Sequence, residues 1–221
     1  MLLLLRHLES SKNTHKQFSS SKDQEELTHE GIELGQAIAD CIATFINSRG
    51  YKVEKVYCAN SRRANETAGI IADRLGIEIC ALNDLRSNNS GELRGKSESE
   101  ATQINPIFMK QLRLFRAGIY SSYDFVKVSN REDKHEFELR VNSCLERILS
   151  EDSNSLKIVV LHHSSLTAAV ISFARKYYNY PNTFYGHVAC ELGNIYLISD
   201  NDIILCNEPA TALKHVNYYE D

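Results

Sequence analysis

Residues 1–7 read MLLLLRH, an apolar run that ends abruptly on an arginine and a histidine. Four consecutive leucines are typical of a strand that is buried on both faces of a sheet. The run is far shorter than the ~20 residues that cross a membrane, and Arg6 interrupts it too soon for the apolar core of a signal peptide. We therefore predict a buried first strand whose carboxyl end carries Arg6 and His7.

Two further apolar runs end in a similar manner. Residues 53–58 predict a second strand with two arginines shortly after it, at 62–63, and residues 157–161 (KIVVL) predict a central parallel strand followed by two histidines, at 162–163. The ligand crevice of an open α/β sheet lies beyond the carboxyl ends of its strands, so these side chains should meet at one edge. Guanidinium groups bind phosphate oxygens in a bidentate manner. The sequence therefore predicts a phosphate-sized anion site.

Amphipathic stretches with helical spacing alternate with the strands. Neither an internal repeat nor a linker interrupts the 221 residues, so we predict a single α/β domain over residues 1–221. We expect a mostly parallel central sheet with helices on both faces, and a helical and loop insertion at about 83–135 that lies over the active site. The first predicted helix begins after the cap Thr28, and the second covers residues 63–75 and stops at Gly76. A third covers residues 133–150, and a fourth ends near Tyr178. The last two predicted strands lie near 188–198 and 203–206.

Composition narrows the class of protein. Apolar residues make up 43% and charged residues 24% of the chain, which is typical of globular proteins and excludes disordered and collagenous chains. The 25 Lys and Arg against 29 Asp and Glu give a net charge of −4, so we expect neither nucleic acid nor a membrane as a partner. Scattered cysteines and the lack of zinc motifs predict reduced thiols in a cytoplasmic protein with no metal and no cofactor. The oligomeric state stays open.

The segment after the first strand carries the most specific pattern. Residues 5–13 read LRHLESSKN, which resembles the R-H-G-E-[ST]-x-x-N signature of the histidine phosphatase superfamily, also called phosphoglycerate-mutase-like, with Leu8 in place of the glycine. A lone R-H would mean nothing, but three more blocks follow in the family's order. They are LTHEGIELGQA at 27–37, RANETA at 63–68 and VVLHHSSLTAAV at 159–170.

The resemblance implies a metal-independent phosphatase that transfers the phosphoryl group of a small phosphorylated substrate to His7 and then to water. An imidazole attacks phosphorus only when it is neutral, and neighbouring guanidinium groups disfavour a further positive charge. Neighbouring side chains at a strand end point in opposite directions, so we expect His162 to be a packed or surface histidine. The remaining implied residues are Arg6 and Arg63 as the phosphoryl clamp, His163 as the second histidine of the pocket, and Asn13 and Ser10 as substrate contacts.

One family position holds a residue that cannot do the expected chemistry. Many members carry a glutamate in a block resembling L-R-E-x-x-x-G-x-x-x-G, where it protonates the leaving oxygen. Residues 85–95 read LRSNNSGELRG here, so Ser87 takes that position. A serine hydroxyl is not a general acid near neutral pH, and the candidate substitutes are Asp84 and Glu92. Together with Leu8, this departure argues for an altered or weakened activity.

Three functions follow from these observations. The first is a phosphatase acting on a phosphomonoester or a phosphohistidine-like substrate. The alternative is a catalytically weak protein that binds a phosphorylated ligand in the same pocket. A phosphoglycerate-type mutase is the least favoured, because it must protect its phosphoenzyme from water and its acid position is lost. An imidazole between arginines favours catalysis, since a binding site needs the cations but no nucleophile.

Overall fold

The fold is built around one six-stranded sheet. The computed structural model describes residues 1–11, 13, 18, 25–117, 119, 125–151, 155–178, 188, 190–199 and 203–206. The strands are β1 Leu2–Arg6, β2 Lys55–Ala59, β3 Glu78–Leu82, β4 Lys157–Leu161, β5 Ile195–Ile198 and β6 Ile203–Cys206. Their order across the sheet is β3-β2-β4-β1-β5-β6. The pairings among the first four are parallel, whereas β5 is antiparallel to β1 and to β6.

Helices cover both faces of this sheet. The connections from β1 to β2 and from β2 to β3 run toward one edge, and the connection from β3 to β4 runs back. Right-handed crossovers in opposite directions place their helices on opposite faces, which confirms the predicted α/β class. No helix in the described ranges is both long and apolar enough to span a membrane. The helices are α1 His29–Arg49, α2 Arg62–Leu75, α3 Glu98–Ile104, α4 Pro106–Arg116, α5 Lys134–Ser150 and α6 His163–Tyr178.

The ends of the helices follow local signals in the sequence. The Thr28 hydroxyl accepts a hydrogen bond from the backbone N–H of Gly31, as expected for the residue that caps α1. Gly76 ends α2 in the left-handed conformation, with φ of 67°. Both positions agree with the sequence-based predictions. The strand predicted near 188–198 is shorter in the structure, where β5 begins at Ile195.

The predicted insertion has a small core of its own. Between β3 and α5 the chain forms two 3-10 turns, at Asn83–Leu85 and Gly91–Leu93, and then α3 and α4. The buried side chains of this second core are separate from the cluster around the sheet. They are Leu93, Ala101, Phe108, Met109 and Val128.

Leu8, the departure from the family signature, lies in the main core. Its side chain is buried beside two glycines. A Cβ atom on Gly35 would lie 2.6 Å from Leu8 Cδ1, and one on Gly193 would lie 3.4 Å from Leu8 Cδ2. The missing side chains of these glycines therefore leave the space that the leucine fills. The leucine points away from the ligand crevice, so this departure gives no reason to expect a weakened site.

Gly31 allows a close approach that positions the segment after His7. A Cβ atom at Gly31 would lie 2.4 Å from the carbonyl oxygen of Glu9, so α1 can pack against this backbone only without a side chain. The Thr28 N–H and hydroxyl both donate to Glu9, to its carbonyl and its carboxylate respectively. The first turn of α1 thus holds the chain just beyond the predicted nucleophile.

We expect Gly31→Ala to lower the free energy of unfolding by about 1–3 kcal/mol, because the new methyl group must displace the Glu9 backbone. The matched control is Gly69→Ala inside α2, where a Cβ atom meets nothing within 4 Å. That control should be neutral or stabilising by up to about 1 kcal/mol, since alanine favours helix over glycine. Urea unfolding followed by circular dichroism measures both. Equal unfolding free energies for the two variants would contradict the assigned contact.

Candidate active site

A cleft of about 720 Å³ opens where the carboxyl ends of β1, β2 and β4 face the insertion. One end of the cleft is cationic and carries the side chains that follow the strands. The opposite wall comes from the insertion and combines five apolar side chains, three of them aromatic, with five polar ones, which are Ser87, Asn88, Ser90, Glu98 and Arg131. The described residues at the cationic end are Arg6, His7, Asn13, Arg63, His162 and His163.

His7 lies at the base of the cationic end and is 4% exposed. Its Nδ1 is 2.8 Å from the carbonyl oxygen of Leu8, and its Nε2 is 3.2 Å from Nε of Arg63. A carbonyl oxygen can only accept a hydrogen bond and a guanidinium can only donate one. Neutral His7 therefore carries its proton on Nδ1 and its lone pair on Nε2. The nitrogen that could attack phosphorus is the one directed at the arginine.

Arg63, in the first turn of α2, is the most deeply buried cation of the cleft, with 2% exposure. Besides His7, its guanidinium donates to Nδ1 of His162 through Nη2 at 3.2 Å and to the Glu25 carboxylate through Nη1 at 3.3 Å. A buried charge is costly unless it is paired and hydrogen-bonded. Glu25 supplies the opposite charge, and the two imidazoles supply acceptors that fix the orientation of the fork.

Arg6 is held at the end of β1 by backbone groups. Its N–H donates to the Asn194 carbonyl at 3.1 Å, and its guanidinium donates through Nη1 to the carbonyl of Cys190. The Cys190 thiol is buried, which raises its pKa to about 11. A thiol with this pKa is protonated near neutral pH and is a poor nucleophile. The imidazole, not the neighbouring thiol, is thus suited to attack a substrate held by Arg6.

Both adjacent histidines line the cleft, but at different depths. His163, which we expected to complete the pocket, starts α6 and is exposed at the wall of the cleft. His162, which we expected to be packed or at the surface, is buried and also contacts the groups of the site. The His162 ring is 3% exposed, and its centroid lies 5.1 Å from that of His7. Its Nδ1 accepts from Arg63, so its protonated Nε2 donates to Ser61 Oγ at 3.2 Å.

The register of the sheet explains this placement. Arg6 is the partner of Leu161 across β1 and β4, and the His7 N–H donates to the Leu161 carbonyl at 2.9 Å. The residues that follow these partners, His7 and His162, are therefore neighbours. The His162 N–H donates to Ser165 Oγ at 3.1 Å, and this contact turns the chain into α6. The pairing of two distant strands therefore decides which histidine lies beside His7, and the order of residues alone does not contain that information.

The two predicted substrate contacts occupy different layers. Asn13 lines the cleft, as expected, but Ser10 is fully buried and is not among its described lining residues. The backbone N–H and the hydroxyl of Ser10 both donate to Asn13 Oδ1, at 3.0 and 2.8 Å. Ser10 therefore does not contact the cleft as we expected, and instead it orients Asn13 through these two hydrogen bonds.

Ser87 lines the cleft, whereas the two carboxylates proposed to replace the acid do not. Asp84 is directed at Arg147, 3.6 Å away, and Glu92 is exposed and accepts from the Ser129 N–H at 3.4 Å. Both expectations are therefore wrong about position, because the 3-10 turns of the insertion direct these side chains away from the cleft. The carboxylates that do line it in the described residues are Glu98 and Glu191. Neither lies in a motif, so the sequence carried no signal for them.

No group of three or more His, Cys, Asp or Glu side chains suited to a metal ion occurs in the described part of the chain. The positive charges at the cationic end come from arginines. Guanidinium groups can bind the oxygens of a phosphoryl group and stabilise the negative charge that develops on those oxygens. The arrangement can therefore hold a phosphoryl group beside Nε2 of His7.

The chain is similar to known proteins over most of its length. Residues 2–198 match the family model of the histidine phosphatase superfamily (branch 1). Phosphoglycerate mutase-like protein 4 of Arabidopsis thaliana is 27% identical over 79% of this chain and 70% of its own length. Putative phosphoserine phosphatase 2 of Hydrogenobacter thermophilus is 29% identical over 76% of each chain.

Solved structures show the same fold. Bacillus stearothermophilus YhfR superposes with a TM-score of 0.73 at 18% identity, over 96% of this chain and 98% of its own. A mycobacterial glucosyl-3-phosphoglycerate phosphatase, solved with VO3, gives a TM-score of 0.70 at 15% identity, over 89% and 92% of the two chains. At these identities the likeness extends to the architecture alone.

Proposed function

The chain belongs to branch 1 of the histidine phosphatase superfamily, and on this premise we propose that it is a metal-independent phosphatase. It hydrolyses a phosphomonoester or a phosphohistidine-like substrate through a phosphohistidine on His7. The observation that carries this proposal is the hydrogen bonding of His7, which leaves the Nε2 lone pair directed at Arg63. The relatives with phosphatase and mutase names support an enzyme of this broad type.

The reaction proceeds in two displacements. The phosphoryl group enters between Arg6 and Arg63. One of its oxygens then accepts the hydrogen bond that Arg63 Nε donates to His7 in the structure. Nε2 then attacks phosphorus, the P–N bond forms, and the P–O bond breaks with its electron pair on the leaving oxygen. The Nδ1–H bond to the Leu8 carbonyl stabilises the positive charge on the imidazole. Water next attacks the phosphohistidine, and orthophosphate leaves.

The nucleophile favours hydrolysis over binding alone, and Ser87 favours a phosphatase over a mutase. A mutase must return the phosphoryl group to a hydroxyl of its substrate, which requires a proton carrier near the leaving oxygen. Ser87 lines the cleft and, in the block at 85–95 that resembles the family's, it takes the position of that acid. The five cysteines whose side chains the structure describes are free thiols, which supports the proposed cytoplasmic location.

We expect His7→Ala to lower kcat for 4-nitrophenyl phosphate by roughly 10³-fold or more, because it removes the nucleophile between the two arginines. The control is His29→Ala, whose side chain is 81% exposed at the start of α1. Rapid quenching at alkaline pH followed by mass spectrometry should map the phosphoryl adduct to His7, and turnover should persist in EDTA. An adduct on another residue, or loss of turnover in EDTA that a divalent metal restores, would refute the mechanism.

The two adjacent histidines should differ in their effect on catalysis. His162→Ala should lower kcat/KM by roughly 10²-fold, since it removes a partner of Arg63 and a ring against His7. His163→Ala should cause a much smaller loss, because this side chain is exposed at the wall. Initial rates with 4-nitrophenyl phosphate measure both. An equal loss of kcat/KM in His163→Ala and His162→Ala would show that contact with His7 does not determine how much each histidine contributes to catalysis.

Without an acid at Ser87, the rate should depend steeply on the acidity of the leaving group. Ser87→Glu should raise kcat/KM for glycerol phosphate by roughly 10²-fold, the usual contribution of a general acid, and should change 4-nitrophenyl phosphate little. Glu92→Gln, outside the cleft, is the control.

Rates across substituted phenyl phosphates and one alkyl phosphate give the slope. A flat wild-type slope that becomes steep in Glu98→Gln or Glu191→Gln would assign the acid to that carboxylate instead.

A further inference from the structure

The insertion lines one side of the cleft with an aromatic wall, formed by Leu93, Phe108, Leu112, Phe115 and Phe125. The Phe125 ring meets Phe108 edge-on at 5.5 Å and Phe115 edge-on at 5.6 Å between centroids. It thereby joins the core of the insertion to a second apolar cluster, in which Phe115 packs with Ile171 of α6. The three rings form one packed cluster in this wall, and Phe125 is its most exposed ring.

The aromatic wall carries a cation, Arg131, that also lines the cleft, and the wall is only partly open. Phe108 and Phe115 are buried, and the Arg131 guanidinium lies 4.8 Å from the Phe108 centroid and 5.7 Å from that of Phe125. Leu112 and Phe125 are only half-buried. Apolar surface that faces water is unfavourable, and a flat apolar ligand that covers it is stabilised in proportion to the area removed from water. Aromatic rings add edge and offset contacts to this gain.

The opposite ends of the cleft therefore require different parts of one ligand. Arg6 and Arg63 require an anion such as a phosphoryl group, and the aromatic wall favours a ring. A polyhydroxylated leaving group would have to find its hydrogen bonds at Asn88, Ser90 or Glu98, because the phenyl rings replace none of those that it makes to water. The volume of about 720 Å³ is that of a cleft for a small molecule rather than for a phosphate ion alone.

Ser87 points to the same ligand on chemical grounds. When His7 Nε2 forms its bond to phosphorus, the P–O bond breaks and the leaving oxygen keeps the electron pair. An aryloxide spreads that charge into its ring and departs without a proton, which it later takes from water. An alkoxide cannot do so and depends on a general acid. A cleft without an acid at Ser87 suits leaving groups that need none.

On the premise of the phosphatase function above, we propose that the substrates are phosphate monoesters of aromatic alcohols. The ring lies against the aromatic wall while Arg6 and Arg63 hold the phosphoryl group beside His7. The insertion thus selects the substrate by its ring, and the sheet supplies the phosphoryl chemistry.

Binding of two non-hydrolysable probes tests this assignment without turnover. Phenylphosphonate and methylphosphonate carry the same anionic group, but only the first carries a ring. Isothermal titration calorimetry should give a dissociation constant about tenfold lower for phenylphosphonate, equivalent to ~1.4 kcal/mol. Phe125→Ala should remove most of this preference, because it should weaken phenylphosphonate binding more than methylphosphonate binding. Phe125→Leu keeps an apolar side chain but loses the ring, so it controls for rearrangement of the wall around the smaller alanine. This variant should retain only part of the preference.

The matched control is Ile107→Ala on α4, which is 61% exposed and does not line the cleft. It should bind both probes as the wild type does. Equal affinity of the wild type for the two probes, or a preference that survives in both Phe125 variants, would overturn the aromatic assignment.

Turnover measurements distinguish a failure of ring recognition from a failure of the proposed phosphatase function. Phenyl phosphate should have a lower KM than hexafluoroisopropyl phosphate, an alkyl ester whose alcohol is about as acidic as phenol. Phosphate release from both esters with equal KM would overturn the aromatic assignment and leave the phosphatase function intact. No phosphate release from any ester, with phenylphosphonate still preferred, would overturn the phosphatase function and leave recognition of the ring in place.

Discussion

The pairing of β1 with β4 is the interaction on which the candidate site depends. These strands are buried on both faces, so their backbone groups are satisfied by each other and by the neighbouring strands. The His7 N–H bond to the Leu161 carbonyl fixes the register at the edge of the cleft. A slip of one residue would turn every side chain of a strand to the opposite face and would separate His7 from His162.

A single buried cation organises the groups that this register brings together. Arg63 directs separate nitrogens at His7, His162 and Glu25. Thr67 ties the helix that carries the arginine to the strand end, because its hydroxyl donates to the Arg63 carbonyl at 2.7 Å and accepts from the Leu8 N–H at 3.2 Å. The cation is therefore oriented before a substrate arrives, and an incoming phosphoryl group needs little rearrangement of the protein.

The groups that we propose for phosphoryl chemistry and those that we propose for substrate choice belong to different parts of the fold. The cationic end is built on the main core, whereas the aromatic wall and Ser87 belong to the insertion between β3 and α5. Because the insertion has its own buried core, its lining can vary without disturbing the strand ends. This division separates the cationic end from the ring cluster and from Ser87.

Local signals in the sequence determined the strands and helices, the cap at Thr28, the stop at Gly76 and the strand ends that carry the cations. These features depend on hydrophobic periodicity and backbone conformation within a few residues, which a sequence displays directly. Only the tertiary structure decided which of His162 and His163 meets His7, which carboxylates line the cleft and where the rings of the insertion gather. Those outcomes depend on strand register and on packing between segments far apart in the chain, and no local pattern of residue types encodes such distances.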